Sequence, residues 1–367
     1  MKDSLKAPFP YFGGKSAVAP AVWKRFGSVR NVVEPFAGSL AFLLARPLPF
    51  DGTETVNDKD GMVANFWRAV QAVPDEVAFH ADWPVNENDL HARHVWLVGV
   101  KDSLQTRLEG NPEFFDAKVA GWWCWGLCCW IGSGFCSGKG PWQSVEVDGV
   151  RQLVNLGSDG QGVKRARVQL GGGRGVNRKR VHLGNAGQGV NRQLVHLGSA
   201  GKGVNRQRVH LGDAGRETLG KNEGIYEWMR ALAERLKRVR VCSGDWSRVC
   251  GPTPTTGQGL TAVFLDPPYA DTAERDPNLY AHDSLDVAHA VREWAIANGG
   301  DKRMRIALCG YEGEHVMPDD WECFAWKASG GYASQGIAGS ENCHKERIWF
   351  SPHCLKSNRA EQGIFLK

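Results

Sequence analysis

The sequence is short of the features that would assign a class at once. Residues 1–10 hold no apolar core of signal length, and Lys2, Asp3 and Lys6 are scattered through them, so no secretory signal is expected there. No C-x-x-C pair occurs among the ten cysteines, which follow no regular framework. The expectation is reduced thiols in a cytosolic setting, with neither a disulfide scaffold nor a four-ligand zinc site. Aliphatic runs of bilayer length are lacking too. The longest uncharged run, Val119 to Gly138, has the length, but it contains five Gly, four Trp and four Cys, with Val119, Leu127 and Ile131 as its larger aliphatics. Tryptophan belongs at membrane interfaces and here fills the middle, so a soluble chain is expected. At 367 residues, 42% hydrophobic and 23% charged, the chain is neither wholly disordered nor collagen-like, and it is long enough to bury a sizeable core, in about two domains.

What is abundant is glycine, at 45 residues, and tryptophan, at 15. The net charge of +5 also hides an asymmetry: Arg151 to Arg216 holds 13 Lys/Arg against 2 Asp/Glu, leaving the remainder mildly acidic. Concentrated basic charge is the footprint of a polyanionic partner. The basic stretch coincides with an internal repeat, whose units begin at Gly149, Gly162, Gly175, Gly189 and Gly203. The three later units start G-V-N-R and run on to V-H-L-G, closing with turns such as Gly184-Asn185-Ala186-Gly187. Each unit reads as one β-like run plus one Gly-rich turn. Few large apolar residues fall in each unit, which is thin for an independent core. An expanded loop without a role is the bland alternative. Recurrence of Arg165, Arg178, Arg192 and Arg206 at fixed positions, with Lys179, Arg180 and Arg208 beside them, favours contact with double-stranded DNA.

Outside the repeats, strands and helices alternate. Asn31-Val32-Val33 reads as a strand ending in Glu34-Pro35-Phe36-Ala37-Gly38-Ser39, followed by a helix over Leu40 to Ala45. Thr55-Val56 is a strand ending in Asn57-Asp58, before a helix over Met62 to Val73. Helix over Glu227 to Lys237, strand over Val239 to Val241, strand over Ala262 to Leu265, helix over Val287 to Ala297, and strands over Arg305 to Cys309 and Glu346 to Phe350 complete the pattern. It predicts one α/β sheet interrupted by a large insert. In the Trp-rich stretch, Trp123, Leu127, Trp130 and Ile131 share a helical face and are expected in the core. Trp142, beside Lys139, Gly140 and Pro141, is the better candidate for base or sugar contact.

Ligands of an open α/β sheet bind beyond the carboxyl ends of its strands. Gly38 lies where backbone must approach a ligand closely, and Asp58 follows about 20 residues later, where a carboxylate takes ribose hydroxyls. Together they suggest a nucleoside-bearing cofactor, although no G-x-G-x-x-G is present. At the end of the strand Ala262 to Leu265 stands Asp266-Pro267-Pro268-Tyr269. Two prolines remove two N–H donors, so Asp266 and the Pro267 carbonyl form an acceptor-only edge, matched to an amine that donates twice. Tyr269 offers a flat face for a planar base. An acceptor edge beside an aromatic platform suits a flipped-out base with an exocyclic amine.

With these motifs in order along the chain, the sequence resembles the Dam-type DNA adenine methyltransferases, particularly those of phages and prophages. The resemblance rests on Pro10-Tyr11-Phe12-Gly13-Gly14-Lys15, Glu34 to Ser39, Asn57-Asp58, Gly244-Asp245-Trp246, the intact Asp266-Pro267-Pro268-Tyr269, Cys309-Gly310-Tyr311-Glu312, Glu346 to Phe350, and Trp130-Ile131-Gly132-Ser133-Gly134. It implies a Rossmann-like sheet dependent on S-adenosylmethionine, with an inserted target-recognition domain containing the β-like repeats. The catalytic parts would be residues 1–101 and 225–367, with the insert at 102–224 and its repeats at 149–216. By position, Tyr11, Gly13 and Lys15 would line the methionine end of the cofactor, and Glu34, Phe36 and Gly38 would bracket it. Asp58 would take the ribose and Asp245 the cofactor's adenine amine, with Trp246 packing nearby where the family usually has Phe. Asp266, Pro267 and Tyr269 would carry catalysis on a target adenine, with no metal. N4-cytosine methylation is the near alternative, though that group more often has Ser in place of Asp266. A DNA-binding protein with an inactive methylase core is the alternative of another class, and intact Gly38, Asp266 and Tyr269 argue against it.

The repeats generate a test of their own. Deleting residues 175–215 is expected to weaken DNA binding, spare cofactor affinity and flatten the log–log salt dependence. Each lost phosphate contact should remove roughly 0.9 from that slope. Because phosphate contacts carry no sequence information, the preferred target should survive the deletion. Binding titrations at several salt concentrations check this; unchanged slope and affinity identify an inert loop.

Overall fold

The computed structural model describes residues 5–11, 14–130, 135–136, 142–147, 150–155, 223–269, 285–326 and 346–356. Gly13 and the repeat residues Arg165, Arg178, Lys179, Arg180, Arg192, Arg206 and Arg208 lie outside them. In chain order the helices are α1 (Ala19–Phe26), α2 (Ala41–Leu44), α3 (Gly61–Ala72), α4 (Pro74–Ala81), α5 (Glu87–Gly110), α6 (Ala117–Cys129), α7 (Glu223–Leu236) and α8 (Leu285–Gly299). The strands are β1 (Asn31–Glu34), β2 (Thr53–Asp58), β3 (Trp142–Val147), β4 (Val150–Asn155), β5 (Val239–Ser243), β6 (Thr261–Leu265), β7 (Met304–Tyr311), β8 (Glu322–Ala325) and β9 (Glu346–Phe350).

Seven strands form one sheet in the order β5-β2-β1-β6-β7-β9-β8. The five strands from β5 to β7 are parallel, and β9 runs antiparallel between β7 and β8. This mixed α/β architecture is compatible with a Rossmann-like fold. Burial explains why short apolar runs become strands here. All four residues of β1 and all five of β6 are buried, as expected for central strands covered on both faces. Side chains alternate between two cores with the period of the pleat. Val32, Ala262, Phe264, Ala307 and Ile348 enter the larger core, packed by α1, α3, α6 and α7. Val33, Val263, Leu265, Ile306 and Trp349 enter the smaller one, packed by α8.

Helix boundaries follow local chemistry. Asp60 caps α3 by accepting from the Met62 amide at 2.9 Å, and Asp116 caps α6 by accepting from Val119 at 2.9 Å. Pro74 opens α4, where its missing N–H costs nothing. One buried charge cluster is shared among three side chains. Glu54 in β2 receives Arg46 at 3.0 Å and Arg235 of α7 at 2.8 Å, and both guanidiniums lie over the Phe50 ring. Arg46 and Arg235 also donate to the Val29 and Leu43 carbonyls, so the trio stitches α7 to β2.

The expected boundary at residue 102 falls inside α5, which runs unbroken from Glu87 to Gly110. Beyond it, α6 belongs to the sheet's own core: Trp123 packs on Phe9 with ring centroids 4.9 Å apart, and Phe9 on Phe66 at 5.0 Å. Trp123 and Trp130 are buried and Leu127 half-buried, while Ile131 lies outside the described residues. The predicted stripe is in fact burial on nearly every side, because α6 is enclosed by α3, α4 and α5. Gly121 permits the close approach; a Cβ there would stand 2.4 Å from His80 Cβ. The helical material preceding residue 131 is therefore part of the sheet unit. Within the remainder, β3 and β4 form an antiparallel hairpin, β4 coinciding with the first repeat unit. No described helix is long and apolar enough to cross a membrane.

Glu54→Ala leaves two guanidiniums buried without their carboxylate. Removing one partner of such a buried set costs about 3–5 kcal/mol. Urea denaturation should show that loss as a lower midpoint with an unchanged slope.

Candidate active site

The order of the parallel strands reverses between β1 and β6, and the crevice beyond their carboxyl ends is the topological switch point at which such sheets bind ligands. β1 delivers Glu34 there, and β6 delivers Asp266. The loop after β1 is held by β2. Ala37 N donates to the Asn57 carbonyl at 2.9 Å and Gly38 N to Asp58 Oδ2 at 2.8 Å. The indole of Trp67 donates to the Gly38 carbonyl at 2.9 Å. Gly38 adopts φ +45°, and a Cβ there would lie 2.5 Å from the Tyr11 ring. Glycine is required on both counts. Asn57 donates to the carbonyls of Pro35 and Gly244, joining the β1 loop to the turn after β5. In that turn Asp245 accepts from Ser247 N at 3.0 Å and caps the short helix Trp246–Val249. Trp246 stacks near-parallel to Phe36, with centroids 6.3 Å apart.

A second cluster lies across the ends of β6, β7 and β9. Lys15, 3% exposed, places its ammonium 2.9 Å from Asp266 Oδ1 and 4.0 Å from Glu346 Oε2. The same ammonium stands 5.2 Å over the Tyr269 ring and 6.0 Å over Trp326. Tyr269 donates its hydroxyl to Glu346 Oε2 at 2.7 Å, and the oxygen is 3.5 Å from Asp266 Oδ1. Glu34 is 3% exposed, and among the described residues its Oε2 has no hydrogen-bond partner.

Electrostatics follow from this crowding. Burial pushes Glu34 well above the usual carboxylate range, and repulsion from Asp266 adds to it. Burial also raises Asp266 and Glu346, with Lys15 acting against the shift in both. Asp58 is pushed up to about 7 by burial, opposed by the Gly38 and Asp60 amides it accepts and reinforced by the charge of Asp60. Asp245, outside the crowd, is held below its ordinary value by its bonds to Ser247.

The structure thus brings the sequence-derived residues together as two neighbouring groups. Tyr11, Phe36, Gly38, Asp58, Asp245 and Trp246 gather at the ends of β1, β2 and β5. Lys15, Asp266 and Tyr269 gather at the end of β6, with Pro267 buried between the last two. Three expected details differ. Lys15 was expected beside the cofactor's methionine end, and its ammonium instead engages Asp266, the nearest buried carboxylate. Both oxygens of Asp58 already accept backbone amides, so the carboxylate fixes the glycine loop. Tyr269 was expected to present an open ring face; the ring is 8% exposed, with Tyr311 edge-on at 4.5 Å, because its hydroxyl is drawn inward to Glu346. Trp142 begins β3 opposite Asn155. Glu346 was not singled out as a site residue. Its signal was a carboxylate leading the otherwise buried strand β9.

No protein-family model matches the chain, and no curated protein matches it. The site is therefore defined by its own chemistry: a stacked aromatic pair, a glycine loop tied to a carboxylate, two acids sharing one ammonium, and a buried third acid, Glu34, beside them.

A carboxyl group raised in the folded state binds its proton more tightly there than in the unfolded chain. Asp58 therefore stabilises the fold at low pH, and that contribution is lost as pH rises from about 4, its unfolded value, to about 7. Asp58→Asn removes the term. Thermal denaturation between about pH 4 and 7 should show a shallower fall in Tm for the variant than for the wild type; parallel curves contradict the assignment.

Proposed function

We propose that this protein is a DNA adenine methyltransferase that uses S-adenosylmethionine. The observation that carries the reading is the charge imbalance at the switch point: Asp266 and Glu346 share the ammonium of Lys15, Glu34 is buried close enough to Asp266 to be repelled by it, and among the described residues Glu34 Oε2 has no hydrogen-bond partner. Buried carboxylates in excess call for a cation from outside. S-adenosylmethionine carries two positive charges, a sulfonium and an α-ammonium, and supplies an electrophilic methyl group. The residues present fit it. Glu34 offers the free oxygen, Gly38 lets the backbone come close, and Phe36 with Trp246 forms a slot that suits a planar base. Separation of β7 from β8 by the antiparallel β9 also departs from the 3-2-1-4-5-6 order of dinucleotide-binding sheets.

On the acceptor side, Asp266 stands at the end of β6 as a partly accessible carboxylate. The exocyclic amine of adenine is a poor nucleophile because its lone pair is delocalised into the ring. Hydrogen bonds to Asp266 and to the Pro267 carbonyl favour the pyramidal nitrogen that frees it. Positive charge then develops on nitrogen, and an ionised Asp266 stabilises it. Lys15 opposes the upward shift that burial imposes on Asp266, favouring its ionised form. Asp266, where the cytosine-N4 group more often has Ser, favours adenine. The basic repeats supply the attraction for DNA.

Asp266→Ala is expected to lower methyl transfer on the order of 10²–10³-fold and to leave cofactor affinity, measured by calorimetry, largely intact. Gly38→Val should instead abolish that affinity, through its clash with Tyr11 and its positive φ. An active Asp266→Ala enzyme removes Asp266 from the mechanism; unchanged affinity in Gly38→Val moves the cofactor elsewhere.

A further inference from the structure

The methylated amine must lose a proton, and the carboxylate that receives it is Asp266. Asp266 is paired with Lys15, and a proton left on it would abolish the charge that the next turnover needs. A second carboxylate lies within reach of one intervening hydroxyl. We propose that Glu346 is the proton acceptor beyond Asp266, reached through the Tyr269 hydroxyl, which donates to Glu346 Oε2 at 2.7 Å and lies 3.5 Å from Asp266 Oδ1. This rests on the methyl-transfer reading above.

The step balances without any further reactant. A new carbon–nitrogen bond forms on the amine as the methyl–sulfur bond breaks, with the sulfonium electron pair returning to sulfur. One N–H proton passes to Asp266. Asp266 then gives its proton to the Tyr269 oxygen as the Tyr269 hydroxyl proton moves to Glu346. Tyr269 is neutral before and after, Asp266 is again a carboxylate, and Glu346 has become the carboxylic acid. No tyrosinate is needed, which matters because burial and the neighbouring carboxylates hold the Tyr269 hydroxyl well above its ordinary value.

The described elements packed on Glu346 are consistent with this role. Lys15 lies 4.0 Å from it and opposes the upward shift that burial imposes on it. Asp266 and Tyr269 approach from the end of β6. From β7, the Tyr311 ring packs on Tyr269, and the thiol of Cys309 is buried and pushed up, so it stays protonated. Trp326 donates its backbone amide to the Glu346 carbonyl. Arg347 turns away: one nitrogen contacts the Glu346 carbonyl and another pairs with Glu312 at 2.7 Å. The Glu346 carboxylate therefore faces Tyr269 and Lys15. Glu346 touches no substrate; it acts through Tyr269 and is a positioning residue in that sense.

Glu346→Gln keeps the shape and a carbonyl acceptor for Tyr269 but cannot take a proton. Tyr269→Phe keeps the ring and removes the hydroxyl. Single-turnover methyl transfer to duplex DNA should fall on the order of 10²-fold in each, in line with general acid–base contributions. The double variant should be no slower than either single one, as for groups acting in one chain. Cofactor affinity and the KM for DNA should not change, which also verifies folding. The acid limb of the pH–rate profile, set in the wild type by two carboxylates, should fall to a single ionisation in Glu346→Gln. Active wild type with both variants within about twofold of it, or losses that multiply, overturns the relay and leaves methyl transfer standing. A wild type that methylates nothing overturns the methyl-transfer reading and the relay together.

Discussion

The buried ion pair between Lys15 and Asp266 is the contact on which the rest of the site depends. Lys15 precedes α1, far from Asp266 in sequence, and its ammonium reaches the end of β6 at 2.9 Å. That one charge opposes the upward shift that burial imposes on the Asp266 carboxyl group. It also fixes the geometry of the neighbours, because Tyr269 and Glu346 are arranged around the same ammonium. Breaking such a pair from one side leaves an uncompensated buried charge, so each partner constrains the other.

The sheet places these groups by topology. β1 and β6 are neighbours in space and distant in sequence, and the parallel order reverses between them. Their ends point into one crevice, so Glu34 and Asp266 come close enough to repel. The resulting excess of negative charge is costly in a folded protein. It makes sense when a cationic ligand completes it, a familiar trade of stability for function at active sites. Under the proposed function, the stacked Phe36 and Trp246 and the tight Gly38 turn would receive the neutral part of that ligand.

Much of the sheet was legible in the sequence. β1, β2, β5, β6, β7 and β9 lie where short apolar runs end in polar or glycine residues, since central strands need only be apolar and brief. α5 was not legible. Its residues from Glu87 to Gly110 mix His, Arg, Trp and Val without a clean apolar stripe, because it is half-buried against several partners. The expected 101/102 boundary lies within this helix. In the site, the motif residues themselves were readable, and their pairings were not. Local spacing gives Asp266 and Tyr269 but says nothing of a lysine 251 positions earlier or a glutamate at the head of β9. Those pairings are tertiary facts, set by strand order.

The most direct test is mass spectrometry of nucleosides from unmethylated duplex DNA incubated with the full chain and S-adenosylmethionine bearing an isotopically labelled methyl group. The account predicts labelled N6-methyladenine, dependent on Asp266. Labelled N4-methylcytosine would contradict the assignment of the acceptor edge to adenine, and DNA with no labelled base would contradict methyl transfer itself.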